Sequence, residues 1–118
     1  MVDLFSCFYI IGNMENLKAI GIFAALAQET RLEIFLLLVR AGGEGLSAGV
    51  IATTLGAPTT TLSFHLKELK SAGVICCTRQ GRSLIYRPDF SVMGEMISFL
   101  TAHCCEGIAT TSPTARTN

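Results

Sequence analysis

The chain is 118 residues long and carries nine basic and nine acidic side chains, so its formal net charge is zero. This length predicts one domain with a modest core and excludes a multidomain protein. Hydrophobic residues make up 50% of the sequence, so we expect several of them to cover a partner surface and infer a homodimer. The opening run, residues 1–13, is apolar but has no basic residue and is too short to span a bilayer, which predicts a cytoplasmic location.

Three stretches before residue 57 have helical periodicity. The first begins at Glu15 with ENLKAIGIFAALA, the second covers Glu29–Ala41, and the third is a short helix, Ala48–Leu55, with Ser47 as its N-cap. The apolar stripes of the three helices are formed in turn by Leu17, Ile20 and Ala24, widened by Phe23 and Leu26; by Leu32, Phe35, Leu36 and Val39; and by Val50, Ile51 and Leu55.

A fourth helix follows a tight break at residues 56–58. Pro58 stands at an early position of this helix and Gly73 ends it. Its buried stripe is predicted to be Leu62, Leu66 and Leu69, and its opposite face carries Thr60, Ser63, Lys67 and Lys70. Two short helices joined by a three-residue turn that contains glycine are typical of a helix-turn-helix, in which the second helix reads DNA.

A short basic hairpin follows that helix directly. Its strands are predicted at Val74–Thr78 and Ser83–Arg87, with the turn at residues 79–82. Residues 58–87 contain five basic side chains and one acidic side chain, so the remainder of the chain is acidic. Such an asymmetry lets one face meet phosphates without general attraction to polyanions.

The last helix is predicted from Phe90 to about His103. Two apolar stripes cover a wide arc of it, which is typical of a helix with one neighbour in its own subunit and one across a dimer axis. The predicted organisation is therefore an N-terminal tail at 1–14, a DNA-binding and dimerisation domain at 15–106, and a disordered C-terminal tail at 107–118.

The sequence resembles the ArsR/SmtB family of winged helix-turn-helix repressors over about residues 16–103. The resemblance is carried by ALAQETRLEIFLLL in the second helix, by TTTLSFHLKELKSAGVI in the fourth, and by RQGRSLIYR in the hairpin. It implies a mostly helical fold with a small β-hairpin wing that dimerises through the first and last helices. It also implies that bases and phosphates are contacted from the fourth helix and the wing. Together with the polar face, the predicted DNA-binding residues are Thr59, Thr60, Thr61, Ser63, His65, Lys67, Lys70, Arg79 and Arg82.

The two familiar sensor sites of that family are absent from this sequence. Residues 46–50 read LSAGV, where the family's best-known arsenic site has a Cys-x-Cys pair, and residues 89–91 read DFS, where its zinc site needs a histidine. The run FLTAHCCEG, however, resembles a subgroup of arsenic repressors that have adjacent cysteines at the end of the last helix.

Five cysteines are present: Cys7, Cys76, Cys77, Cys104 and Cys105. An odd count without a secretory signal favours reduced thiols over a disulfide framework. Cys104 and Cys105 can turn toward one thiophilic atom at a frayed helix end, with Cys7 or the partner chain as the candidate third ligand. They could also be two small apolar residues ending a helix. Cys76 and Cys77 point to opposite faces of a strand and are predicted to pack within the wing.

The sequence therefore predicts a repressor of arsenic-resistance genes that leaves its operator when a trivalent arsenical, arsenite or methyl arsenite, binds Cys104 and Cys105. It predicts no prosthetic group. A redox or reactive-sulfur sensor, using Cys104 with Cys7 or a partner thiol, is the alternative on the same fold. The sequence has no acid pair, no Ser-His-acid set and no glycine-rich phosphate loop, so an enzyme is not expected.

Overall fold

The computed structural model describes residues 14–108. Along the chain, its five α-helices, three β-strands and one 3-10 turn are α1 (Asn16–Leu26), α2 (Glu29–Ala41), the 3-10 turn (Gly42–Glu44), β1 (Leu46–Ser47), α3 (Ala48–Leu55), α4 (Thr59–Ala72), β2 (Ile75–Gln80), β3 (Ser83–Pro88) and α5 (Phe90–Thr101). This is the predicted winged helix-turn-helix. None of the described helices is long and apolar enough to cross a membrane.

The helix-turn-helix is formed by α3 and α4. The side chain of Ser47 caps α3 by accepting a hydrogen bond from the Val50 backbone N–H at 3.3 Å, as predicted. Gly56 ends α3 and Gly73 ends α4, both with left-handed φ angles of +67° and +86°. The sequence predicts Pro58 inside the fourth helix, but this residue is its N-cap, because its ψ of 144° is extended and α4 begins one residue later.

The wing is a three-stranded antiparallel sheet in the order β1-β3-β2. The predicted four-residue turn is too long, because Arg79 and Gln80 belong to β2 and pair with Leu84 and Ser83. The two-residue strand β1 is not predicted by the sequence pattern. It pairs Leu46 with Tyr86 of β3 and thereby joins the wing to the start of α3.

Gly45 allows this close approach of β1 to β3. Its φ is +73°, and a Cβ at this position would lie 2.5 Å from the carbonyl oxygen of Tyr86 and 2.8 Å from Cγ2 of Ile85. Any side chain at position 45 would therefore clash with the backbone of β3, so only glycine fits.

The core lies between the helices and the base of the wing. It consists of Met14, Ala19, Ile22, Ala25, Ile34, Phe35, Leu38, Ile51, Ala52, Leu62, Leu66, Leu69, Val74, Ile75, Val92 and Met96. The predicted stripe of α4 is confirmed, since its three leucines are at most 2% exposed. Met14, which the sequence pattern assigns to the N-terminal tail, is buried in this core.

Several other apolar residues that are predicted to face inward are exposed in the single chain. In α1, Leu17 is 79% and Ile20 is 60% exposed, and the smaller Ala19, Ile22 and Ala25 are buried instead. The prediction of inward-facing residues in α1, α2 and α3 is wrong for seven of them, which are exposed: Leu17, Ile20, Phe23, Ala24, Leu32, Leu36 and Val50. The periodicity finds the apolar stripes, but several helices have more than one apolar side and the single chain covers only part of them.

Helix α5 begins where the side chain of Asp89 accepts hydrogen bonds from the backbone N–H groups of Ser91 and Val92. Ile97 and Leu100 on its outer side are 62% and 64% exposed. Glu95 is 4% exposed on its inner side, with Oε1 3.6 Å from Nζ of Lys18 on α1. This ion pair joins the first and last helices within one chain.

Helix α5 ends at Thr101, about two residues earlier than predicted. Cys104 and Cys105 consequently lie in the turns that follow the helix. Cys7 and most of the two predicted tails lie outside the described residues. The domain boundaries at residues 14 and 106 remain predictions.

Candidate functional site

The outward face of α4 presents most of the residues that are predicted to contact DNA. Leu62, Leu66 and Leu69 bury the opposite side of the helix, so the polar side chains turn away from the core. Exposed on α4 are Thr59, Thr60, Thr61, Ser63, Lys67 and Lys70. Hydroxyl groups and ammonium groups on one helix face can reach base edges and phosphates together.

His65 is an exception, and its predicted base contact is corrected by the structure. The residue is 8% exposed and lies three residues after Leu62, on the buried side of α4. Its Nδ1 is 3.3 Å from Nη1 of Arg31, whose guanidinium can only donate, so Nδ1 accepts. His65 therefore positions α4 from behind instead of facing a base.

Arg31 is a structural residue that the sequence does not reveal. It lies on α2, where Nε donates a hydrogen bond of 2.6 Å to the carbonyl oxygen of Ala25 near the end of α1. With the contact to His65, one half-buried guanidinium connects α1, α2 and α4. The sequence pattern places Arg31 on the flank of α2, because periodicity cannot show which distant groups an arginine reaches.

The wing presents two exposed arginines near its tip. Arg79 on β2 and Arg82 in the loop are exposed, and Gly81 beside Arg82 has a φ of +63° that the tight turn requires. Arg87 is held instead, because Nε donates to the carbonyl oxygen of Gly43 at 3.0 Å and Nη1 donates to Oγ1 of Thr78 at 2.9 Å. Arg79 and Arg82 are thus available to phosphates, whereas Arg87 secures the base of the wing.

The two cysteines after α5 lie side by side on the surface. Their Sγ atoms are 2.9 Å apart and both residues are exposed. Cys105 has a left-handed φ of +68°, a conformation that costs a non-glycine residue on the order of 1–2 kcal/mol. Two accessible sulfurs at this separation can both bond to one soft atom.

His103 and Glu106 flank this thiol pair. Nδ1 of His103 lies 3.1 Å from Oε1 of Glu106, so the two side chains span the cysteines along the chain. Both are exposed, and an exposed pair of this kind adds little stability. Among residues 14–108, no group of three or more histidine, cysteine, aspartate or glutamate side chains is arranged to hold a metal ion.

Cys76 and Cys77 occupy neighbouring positions of β2 and are half-buried, as their predicted role in wing packing requires. Cys77 is paired with Tyr86 of β3. Burial raises the pKa of the Tyr86 hydroxyl, and the neighbouring Cys77 adds to the effect. Because successive strand residues face opposite sides, these two sulfurs do not share one ligand.

Comparisons with known proteins extend these observations. The model of a helix-turn-helix domain matches residues 26–76. An ArsR-like transcriptional regulator from Rhodococcus sp. RHA1 superimposes with a TM-score of 0.68 and 29% identity, and the match covers 76% of this chain and 82% of that one. No match was found among proteins with curated descriptions.

A 100-residue fragment from Mycobacterium bovis is similar in two solved structures. Its crystal structure, described as a possible transcriptional regulatory protein, has 31% identity and a TM-score of 0.56, covering 72% of this chain and 90% of that one. Its NMR structure is described as a homodimeric winged helix-turn-helix domain of a possible ArsR-family regulator, with 25% identity, a TM-score of 0.59 and coverage of 85% and 98%. The chain belongs to the ArsR family.

ArsR-family membership makes this chain a transcriptional regulator, which confirms the prediction that it is not an enzyme. The helix-turn-helix match extends from the end of α1 to the start of β2. Cys104 and Cys105 lie outside that segment. The helix-turn-helix of this ArsR-family chain is therefore the part that the comparison supports. A role for the thiol pair has to be argued from the geometry of Cys104 and Cys105.

Alkylation kinetics can test the contact between the two sulfurs. The hydrogen bond to Cys105 raises the pKa of the Cys104 thiol. Cys105→Ala removes this hydrogen bond and should therefore lower the pKa of Cys104. Since only the thiolate is alkylated quickly, the pH midpoint of Cys104 alkylation should move to lower values. The measurement is the iodoacetamide rate at the Cys104 peptide across the neutral to alkaline range by mass spectrometry. Cys76→Ala is the control, and an equal midpoint in the Cys105→Ala variant would contradict the contact.

Proposed function

We propose that this chain is a homodimeric repressor of arsenic-resistance genes, which releases its operator when a trivalent arsenical bridges Cys104 and Cys105. The observation that carries the proposal is the exposed sulfur pair, with 2.9 Å between the two Sγ atoms directly after α5. A soft trivalent arsenic atom prefers thiolates to the oxygen and nitrogen donors that surround the pair. The family's two familiar sensor sites are absent from the sequence, at residues 46–50 and 89–91, and this favours the pair as the sensor.

The dimer is proposed from the uncovered apolar sides of α1 and α5. Leu17 and Ile20 on α1, and Ile97 and Leu100 on α5, are each at least 60% exposed in the single chain. Large aliphatic side chains at such exposure favour burial in an interface. The homodimeric Mycobacterium bovis fragment has the same fold.

DNA is proposed to bind along α4 and the wing. The exposed hydroxyls and lysines of α4 would enter the major groove, and Arg79 and Arg82 would meet the phosphate backbone beside it. The excess of basic residues between positions 58 and 87 supports the same surface.

Release follows from the place of the thiol pair in the chain. A ligand can shift the dimer between DNA-binding and DNA-free states only if it binds one state more tightly. An arsenical held by Cys104 and Cys105 fixes the turns that follow α5, and α5 forms part of the proposed dimer interface. A change there alters how the two α4 helices are spaced.

Fluorescence anisotropy with labelled operator DNA tests the proposal. The complex should dissociate on titration with arsenite or methyl arsenite and should persist with zinc, since the described residues offer zinc no three-ligand group. Methyl arsenite, whose third bond is to carbon, needs only the two local thiolates, whereas arsenite would take a third from Cys7 or the partner chain. Release by hydrogen peroxide but by neither arsenical would favour the redox sensor and contradict the proposal.

The phosphate contact of Arg82 is open to a separate test. Arg82→Ala should weaken binding to all DNA sequences. It should reduce the slope of log K for the dimer against log salt concentration by about 1.8, because each of the two subunits loses one phosphate contact that contributes about 0.9. The slope is measured by anisotropy between low and moderate salt. Arg40→Ala, a loss of an exposed arginine on α2, should leave it unchanged. An unaltered slope in the Arg82→Ala variant would remove this residue from the phosphate contacts.

A further inference from the structure

Phe64 is a large apolar residue on the outward side of α4. Its side chain is 56% exposed. It lies one turn after Thr60 and one turn before Lys67, both of which are also exposed. The phenyl ring therefore lies in the middle of the polar surface of α4 that is proposed to contact DNA.

The ring is held in place from the buried side of the helix. Its centroid lies 5.5 Å from that of the His65 imidazole, with an angle of 62° between the rings, which is an edge-to-face arrangement. His65 is in turn fixed by Arg31 at 3.3 Å. A positioned aromatic side chain loses little conformational freedom when it meets a ligand.

The position of Phe64 separates it from the exposed apolar residues of the first and last helices. Those on α1 and α5 form the proposed dimer interface, and Phe64 lies on neither helix. A phenyl group has no hydrogen-bond donor or acceptor, so it cannot recognise the polar edge of a base. In the major groove, the apolar group that distinguishes one base from the others is the C5-methyl group of thymine.

We propose that Phe64 is a specificity-determining residue that contacts a thymine methyl group in the operator. The inference rests on the proposed DNA binding and adds a base preference to it. In this arrangement the hydroxyls and lysines of α4 supply hydrogen bonds and phosphate contacts. Phe64 selects thymine at one position of each half-site.

The test begins with selection of duplexes from a random DNA library by the full-length wild-type protein. Each thymine of the selected site is then replaced singly by deoxyuridine, which removes only the methyl group. One thymine per half-site should show an affinity loss of about fourfold, the effect of burying one methyl group. In the Phe64→Ala variant the same replacement should have no effect.

Two further variants control for folding and for general apolar loss. Phe64→Leu keeps an apolar contact and should retain part of the thymine dependence. Leu36→Ala removes an apolar side chain that is 52% exposed on α2. This variant should keep the full thymine dependence of the wild-type protein. Circular dichroism melting of each variant shows whether the variant is folded under the conditions of the binding assay.

The outcomes separate this inference from the function beneath it. Equal sensitivity to deoxyuridine in the wild-type and Phe64→Ala proteins, or no sensitive thymine in the wild-type site, overturns the thymine contact while operator binding stands. Failure of the wild-type protein to enrich any duplex overturns operator binding, and the thymine contact with it.

Discussion

Operator DNA bound to a Cys104→Ser or Cys105→Ser variant should remain bound at arsenical concentrations that release the wild-type protein. We expect the half-release concentration to rise at least about tenfold in each variant, because one of two thiolate bonds is lost and a serine hydroxyl is a hard, protonated donor. Affinity for DNA without arsenical should not change, since both cysteines lie beyond α5 and are exposed. Anisotropy with the same operator measures both quantities.

Serine variants at the two wing cysteines are the matched controls for this experiment. Cys76→Ser and Cys77→Ser carry the same chemical change at half-buried positions of β2. They should keep arsenical-induced release, whatever small stability they lose. Normal induction in both the Cys104→Ser and the Cys105→Ser protein would show that the sensor site lies elsewhere.

The Arg31→Ala protein should unfold at a lower temperature, with a loss of about 2 kcal/mol in the free energy of unfolding. The replacement leaves the carbonyl oxygen of Ala25 and Nδ1 of His65 without their donor in a partly or fully buried setting. For a domain of this size such a loss lowers Tm by roughly 8 °C. Thermal and urea unfolding followed by circular dichroism give both values.

Arg40→Ala is the control for Arg31→Ala, because it removes an exposed arginine from the same helix. Its stability should lie within about 0.5 kcal/mol of the wild type. The Arg31→Ala/His65→Ala double variant should lose less than the sum of the two single changes, since the two residues share a hydrogen bond. Strict additivity would mean that the contact contributes nothing to the fold.

Helix α4 and its end at Gly73 can be predicted because local rules and tertiary packing agree there. The leucines at 62, 66 and 69 recur at helical spacing and have only one layer to pack against, so periodicity finds the buried side. The prediction for His65 is wrong because it follows the family resemblance instead of the spacing. As the third residue after Leu62, His65 falls on the same stripe.

Helix α1 cannot be predicted in the same detail, because it is apolar on two sides. The single chain buries the side with Ala19, Ile22 and Ala25, which lets α1 approach its neighbours closely. The larger Leu17 and Ile20 remain outside. Helical spacing alone cannot decide which apolar side faces the protein's own core and which faces another chain.

The candidate site can be predicted only in its residue types. Adjacent cysteines at the end of an apolar helix are evident from the sequence. Their Sγ atoms are 2.9 Å apart where Cys105 has a left-handed φ, and the conformational preference of cysteine does not predict that φ. The role of Arg31 depends on three helices meeting around one guanidinium. Contacts of this kind arise only after the chain has folded.

The short strand β1 has a consequence for how regulation can act. Its pairing with β3, the contact at Gly45 and the hydrogen bond from Arg87 to Gly43 fasten the wing to the segment that leads into α3. We therefore expect the wing and the helix-turn-helix, including α4, to move together as one rigid unit. In the proposed mechanism, release would therefore not fold the wing away from the duplex. It would change the distance or tilt between the two subunits, so that their α4 helices no longer fit successive grooves of the same DNA.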